Sequence, residues 1–169
     1  MGRTMRNFEY TVCWQAVDPG LRDEVIDFWR RHGAISDPTA AQRRAAELVA
    51  IARSSGPDGE IAAVCTAALR LIPDLGQKLY YYRTFVAPAW RGSFVMQRLL
   101  RTAVAELERY SLAHPAQGAA GVYLELENPR FGKQLRQAVW PRSGLEFVYI
   151  GRTAAGLERR LRWFRHARI

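Results

Sequence analysis

Lysine is nearly missing from this chain. Lys78 and Lys133 are the two lysines among 25 basic residues, which leaves 23 arginines, and 16 acidic residues oppose them for a net charge of +9. Guanidinium groups stay charged and meet carboxylate or phosphate through a planar fork. The surplus therefore fits an anionic partner (nucleic acid, a membrane surface or a phosphorylated cofactor), and it fits an Arg-rich solvated surface equally well, because net charge reports association rather than fold.

Cysteine is scarce too. Cys13 and Cys65 sit in segments that read as strands, with no second Cys or His at metal-ligand spacing, so they read as buried thiols in a reducing compartment. His32, His114 and His166 are scattered, without an acidic residue or Cys at the close spacing of a catalytic or metal motif; no metal is expected. Long apolar runs are also missing, since Arg, Glu, Gly or Pro interrupts every hydrophobic stretch before the roughly 18 residues a membrane span requires. The start, Met1 to Arg6, has no apolar segment behind it, and Arg6 stands where a myristoylation signal carries Ser or Thr. These absences predict a cytoplasmic protein with no membrane association. No linker, repeat or low-complexity tract interrupts residues 1–169, and 49% hydrophobic residues can fill one core, so one domain is expected.

What is present is periodicity. Residues 8–16 alternate, with Phe8, Tyr10, Val12 and Trp14 on one side, the period of a half-buried strand. Leu21, Val25, Phe28, Trp29 and His32 recur at helical spacing before Gly33, and Asp37-Pro38 opens a shorter helix running to about Glu47. Leu48–Ala52 and Ile61–Ile72 flank the turn-rich segment from Ser54 to Gly59 and read as a hairpin, with a third strand from Lys78 to Val86. From Gly92 to about Ser111, Val95, Leu99, Ala103, Leu107 and Tyr110 mark one face of a long helix. A strand over 121–127, a helix from Pro129 to about Trp140 capped by Asn128, and a strand pair over 145–152 and 157–164 complete the chain. The fold class is α/β: a mixed, mostly antiparallel sheet of about seven strands flanked by about four helices. The long helix makes a crossover, which predicts parallel strands on either side of it.

One stretch carries chemistry: Phe85-Val86-Ala87-Pro88-Ala89-Trp90-Arg91-Gly92-Ser93-Phe94-Val95-Met96. A turn entering a helix N-terminus presents unpaired backbone N–H groups and partial positive charge, which suits phosphate. Together with the order of elements, this stretch resembles the V-x-P-x-x-R-G-x-G-x-G/A segment of the GNAT superfamily of CoA-dependent N-acyltransferases. Gly121–Asn128 resembles the family's fifth strand ending in Asn, and Gly144–Gly151 its late strand. Phe94 and Met96 stand at the family's glycine positions, and Leu135 stands where its proton-donating Tyr is expected.

The resemblance implies direct attack of an amine on an acyl-CoA thioester, with acetyl-CoA or another acyl-CoA as co-substrate and a small-molecule or protein amine as acceptor. It implies that Phe85, Val86, Arg91, Gly92, Ser93, Phe94, Val95, Met96 and Asn128 hold the cofactor, and that a backbone N–H near Val86 meets the oxyanion. Glu127, Glu125 and Tyr82 are the candidates for proton transfer, Glu127 first among them. The glutamates read equally as exposed strand residues, and Tyr82 as a packing aromatic. The alternative is a catalytically degenerate GNAT-fold binding or regulatory protein, suggested by Phe94 and Met96 at the glycine positions and by the missing Tyr; Phe94 filling the phosphate cradle would favour it. The tail from Arg159 to Arg168 mixes Arg with aromatics as nucleic-acid surfaces do, but it also fits a closing strand with a basic outer face, the reading preferred here; no specific nucleic acid is expected. Edge strands and five tryptophans allow a homodimer.

Overall fold

A computed structural model of the chain describes residues 7–56, 58–128, 135–140 and 145–169. The elements are β1 (Phe8–Val12), α1 (Pro19–Arg31), α2 (Pro38–Ala45), β2 (Leu48–Ser54), β3 (Ile61–Ile72), β4 (Gln77–Val86), α3 (Val95–Ala113), β5 (Ala119–Leu126), β6 (Val148–Arg152) and β7 (Glu158–Trp163). The seven strands form one sheet in the order β1-β2-β3-β4-β5-β7-β6. Among the described residues no helix is long and apolar enough to cross a membrane.

The chain divides into two compact units, Met1–Ala67 with Arg83–Glu106, and Ala68–Tyr82 with Leu107–Ile169. In the first unit, both short helices start on an aspartate followed by proline. Asp18 accepts Leu21 N–H at 2.8 Å, and Asp37 accepts the N–H groups of Thr39 and Ala40 at 3.2 Å. Proline at the first helical position lacks the N–H that would have gone unpaired there. Helix α1 buries Val25, Phe28 and Trp29 against Leu48, Ile51, Ile61 and Val64. Arg53 of β2 forks onto Glu24 of α1 with two contacts of 2.6 Å, and this hydrogen-bonded guanidinium holds the Glu24 carboxyl below its ordinary value. Strand β2 pairs antiparallel with β1 and with β3. Cys13 and Cys65 are buried free thiols, and burial pushes the Cys13 thiol up to about 12.

The second unit is built around β5. It runs parallel to β4 through the pairs Lys78↔Ala119, Tyr80↔Val122 and Tyr81↔Tyr123, the relation that the crossover predicts, and antiparallel to β7 from Gly121↔Trp163 to Leu126↔Glu158. Ile72, Leu79, Tyr81, Ala120, Tyr123 and Leu161 form its apolar cluster.

Three α-helices are described where about four were expected. Residues 129–134 of the anticipated fourth helix lie outside the described residues, and 135–140 are not helical. Val139 instead bridges Val148, Tyr149 N–H donates to Ala138 at 2.8 Å, and Trp140 N–H donates to Phe147 at 2.9 Å. Pro141 also disfavours helical backbone at Trp140. Strand β1 stops at Val12 rather than near 16, and β6 begins at Val148 rather than 145. The basic outer face expected of the last strand is a further correction. Strand β7 lies between β5 and β6, and Arg160 and Arg162 are buried, Arg160 to 1% exposure.

Candidate functional site

Two groups of the anticipated residues are assembled locally, one in each unit. In the first, β4 ends at Val86, a 3₁₀ turn spans Pro88–Trp90, and the chain reverses at Gly92 before entering α3. Gly92 has φ +80°, which L side chains rarely adopt, and a Cβ there would meet nothing within 4 Å. The turn is therefore open on that side, and its glycine is required by conformation. Ser93 Oγ donates to Trp90 O at 2.6 Å and accepts Val95 N–H at 3.4 Å, which fixes the entry to the 19-residue helix. Arg91 is exposed, donates Nε to Val86 O at 3.1 Å, and lies over the Phe85 ring at 5.6 Å. Phe85 packs edge-on against Phe28.

Phe94 is 71% exposed, so it does not fill the turn. Its carbonyl accepts Arg98 N–H at 3.1 Å, which puts Phe94 at the mouth of the helix with its ring outward. Val95 is buried and Met96 half-buried. The Ala87 N–H, one of the backbone donors beside Val86, is already committed to Ala62 O at 2.9 Å.

In the second unit, alternation along β5 puts Tyr123 and Glu125 on one face. Tyr123 OH donates to Glu125 Oε1 at 2.8 Å and Tyr81 OH donates to Oε2 at 3.3 Å. Arg159 Nε donates to the Tyr123 hydroxyl oxygen at 2.9 Å, while its two terminal nitrogens fork onto Asp74 at 2.8 and 2.9 Å. That hydrogen-bonded guanidinium holds Asp74 below the usual carboxylate range, and Asp74 in turn holds Arg159 above its own. Burial pushes the Tyr123 hydroxyl up to about 12, so it remains a donor at neutral pH.

Glu127 and Asn128 are exposed on the wall of an open groove of about 680 Å³, shared with Arg136, Tyr149, Arg152 and Glu158. Tyr82 is buried with its hydroxyl enclosed, one residue out of phase with Tyr81 and so on the opposite side of β4. Glu125 lies near the end of β5 and Glu127 and Asn128 just beyond it, and of the three Glu125 sits in the tyrosine–arginine network. Sequence reading missed Tyr81, Asp74 and Arg159. Tyr81 was discoverable from its alternation with Leu79; Asp74 and Arg159 stand 85 residues apart, and no local pattern ties one to the other. Among the described residues no group of three or more His, Cys, Asp and Glu is arranged to hold a metal ion.

No family model matches the sequence, and no curated protein matches it. Solved structures do match, over nearly the whole chain. Arabidopsis thaliana NAA60, crystallised with acetyl-CoA, is 16% identical, with 93% of this chain and 98% of that chain covered and a TM-score of 0.57. The ribosomal-protein-S18-alanine N-acetyltransferase of Escherichia coli is 15% identical over 96% of this chain and 97% of its own, TM-score 0.56. The ribosomal-protein-S5-alanine acetyltransferase of Vibrio fischeri is 8% identical over 96% of each chain, TM-score 0.59. The fold is that of the GNAT acetyltransferases.

Proposed function

We propose that the protein is an acyl-CoA-dependent N-acyltransferase that moves an acyl group, acetyl in the first instance, to an amine by direct attack on the thioester. The carrying observation is the turn from β4 into α3. It has a glycine at φ +80° with open space where a Cβ would stand, an exposed arginine beside it, and an aromatic ring turned to solvent at the position that would otherwise block it. Main-chain N–H groups of a helix's first turn lack intrahelical partners, and they carry the partial positive charge that suits a pyrophosphate. In this reading Gly92, Ser93, Phe94, Val95 and Met96 form the phosphate cradle, the N–H groups of Ser93 and Val95 exchanging Trp90 O and Ser93 Oγ for phosphate oxygens, and Arg91 contributes a guanidinium. Phe85 and Val86 lead the strand into the site, and Asn128 closes β5. The network around Glu125 handles the amine's proton.

Phe94 is 71% exposed, which removes one of the three features that favoured a binding or regulatory module without catalysis; Met96 at a glycine position and Leu135 at the place of the Tyr still favour it. Calorimetric titration of the protein with acetyl-CoA and with free CoA tests the proposal. Saturable binding is expected with both, and Arg91→Ala weakens it about tenfold, the worth of one charge-assisted hydrogen bond. Absence of heat with either ligand would overturn the reading.

A further inference from the structure

Strand β6 carries one residue more than its partner between two ladder pairs. Tyr149 stands opposite Arg160 and Arg152 opposite Glu158, three steps along β6 against two along β7, and Gly151 between them has φ +101°. Side chains alternate along an unbroken strand, so Tyr149 and Arg152 would lie on opposite faces. The extra residue restores their phase, as a bulge does when it re-aims a side chain. Tyr149 and Arg152 therefore line one groove together with Arg160 and Glu158, all within the second unit.

The donors of this groove are unevenly engaged. Arg160 gives Nε to Glu158 and its terminal nitrogens to the carbonyls of Gln137 and Leu135. Arg152 stands opposite Glu158, yet that carboxylate is held by Arg160. Arg152 instead gives Nη1 to Gly156 O at 2.9 Å, which leaves its Nε–Nη2 edge whole. Among the described residues neither Arg152 nor Arg136 has a carboxylate at ion-pair distance. Three guanidinium groups and two carboxylates, Glu127 and Glu158, line the groove, so one negative charge is missing. Leu126, Ala138 and Leu157 make the rest of the wall apolar, and the Tyr149 ring is 43% exposed. At about 680 Å³ the groove is of the size that small organic ligands occupy.

We propose that this groove is a binding site for an organic monocarboxylate with an apolar body. The carboxylate takes the open edge of Arg152 through two parallel N–H···O bonds, the geometry in which guanidinium and carboxylate match. Arg136 supplies the second positive charge, and the body of the ligand rests on the Tyr149 ring and Leu157. A phosphate monoester, with close to two negative charges at neutral pH, exceeds the single charge that is missing. An organic cation would be repelled by Arg136 and Arg152. The site draws on no residue of the β4–α3 turn, so it holds or fails independently of the acyltransferase reading.

Calorimetric titration of the full chain with phenylbutyrate, and in parallel with phenylbutylammonium and phenylbutyl phosphate, tests the proposal. Saturable binding of the carboxylate is expected, with weaker binding of the phosphate ester and no heat from the ammonium. Arg152→Lys keeps the charge and loses the fork, and it weakens phenylbutyrate about tenfold. Arg136→Gln, at an exposed position outside any strand, also weakens it about tenfold, the worth of one charge-assisted hydrogen bond. Arg136→Gln carries the test by itself if Arg152→Lys, which touches the β6–β7 turn, fails to fold. Arg98→Gln, on α3 in the other unit, leaves the affinity unchanged and so separates the groove from general attraction to a basic surface. No saturable binding, equal binding of the three ligands, tighter binding of the phosphate ester, or undiminished binding in Arg136→Gln would overturn the inference.

Discussion

A Cβ built on Gly121 runs into the carbonyl oxygen of Arg162, inside van der Waals contact, and stands 3.1 Å from the Arg162 carbonyl carbon and from Trp163 Cα. All three atoms are backbone of β7, so no side-chain rotation relieves the overlap. Relief requires the ladder between β5 and β7 to open at its Gly121↔Trp163 pair, the same ladder that carries Glu125 and Arg159 farther along. Gly121→Ala is therefore expected to lower stability by about 2 kcal/mol, in the range of overpacking a filled interior. Urea unfolding measures this directly, and an unchanged midpoint with unchanged slope would refute it. Gly92 has the opposite reason for being glycine, since it meets no neighbour and needs only its positive φ. Sequence distinguishes neither case, because the same residue type serves close approach and unusual dihedral alike.

The elements divide by how local their causes are. Helix α1 was legible from its 3.6-residue periodicity and α2 from its Asp-Pro cap, causes that act within a few residues, and the β2–β3 hairpin because a dense turn separates two apolar runs. The β4 turn could be placed for the same reason. The segment 135–140 was not, because what holds it comes from β6 and β7. Arg160 donates to the carbonyls of Gln137 at 2.7 Å and Leu135 at 3.2 Å, pairs with Glu158, and lies 4.6 Å from the centre of the Trp140 ring. A guanidinium buried to this extent reads in the sequence as part of a basic stripe; only the order β5-β7-β6 explains why it faces inward. The Glu125 network is equally non-local, with Asp74 and Arg159 85 residues apart. Replacing Arg160 by Met leaves Glu158 and several carbonyls without their donor, so a loss of about 3 kcal/mol is expected, as for breaking a buried pair. Hydrogen exchange at Trp140 and Tyr149, whose N–H groups tie this segment to β6, should rise more than exchange at β2. Uniform acceleration everywhere, or none, would contradict the clamp.

At the scale of the whole molecule, two effects oppose each other as pH rises. The net charge of +9 falls toward zero near the isoelectric point of about 10.2, which relieves self-repulsion. Over the same interval three buried groups come under strain. Burial pushes Cys13, Tyr80 and Tyr123 each up to about 12, from ordinary values of 9.0, 10.0 and 10.0. A group whose folded value is raised gives its full stabilisation below its unfolded value and loses it as pH climbs to the folded one, so the loss begins near pH 9 and completes near 12. On the acid side the signs reverse. Glu24 and Asp74 are held low by Arg53 and Arg159, and their contribution, small because both are largely exposed, disappears as pH drops below about 4. Relief of repulsion among exposed arginines is screened and gradual, whereas the alkaline groups lie in the interior, with Tyr80 and Tyr123 1% and 4% exposed. Stability is therefore expected to be level from neutral pH to about 9 and then to fall in step with tyrosinate absorbance, and added salt should raise it at pH 7 but not at pH 10. A stability maximum at the isoelectric point would instead mean that surface charge, and not the buried tyrosines and thiol, governs the upper limit.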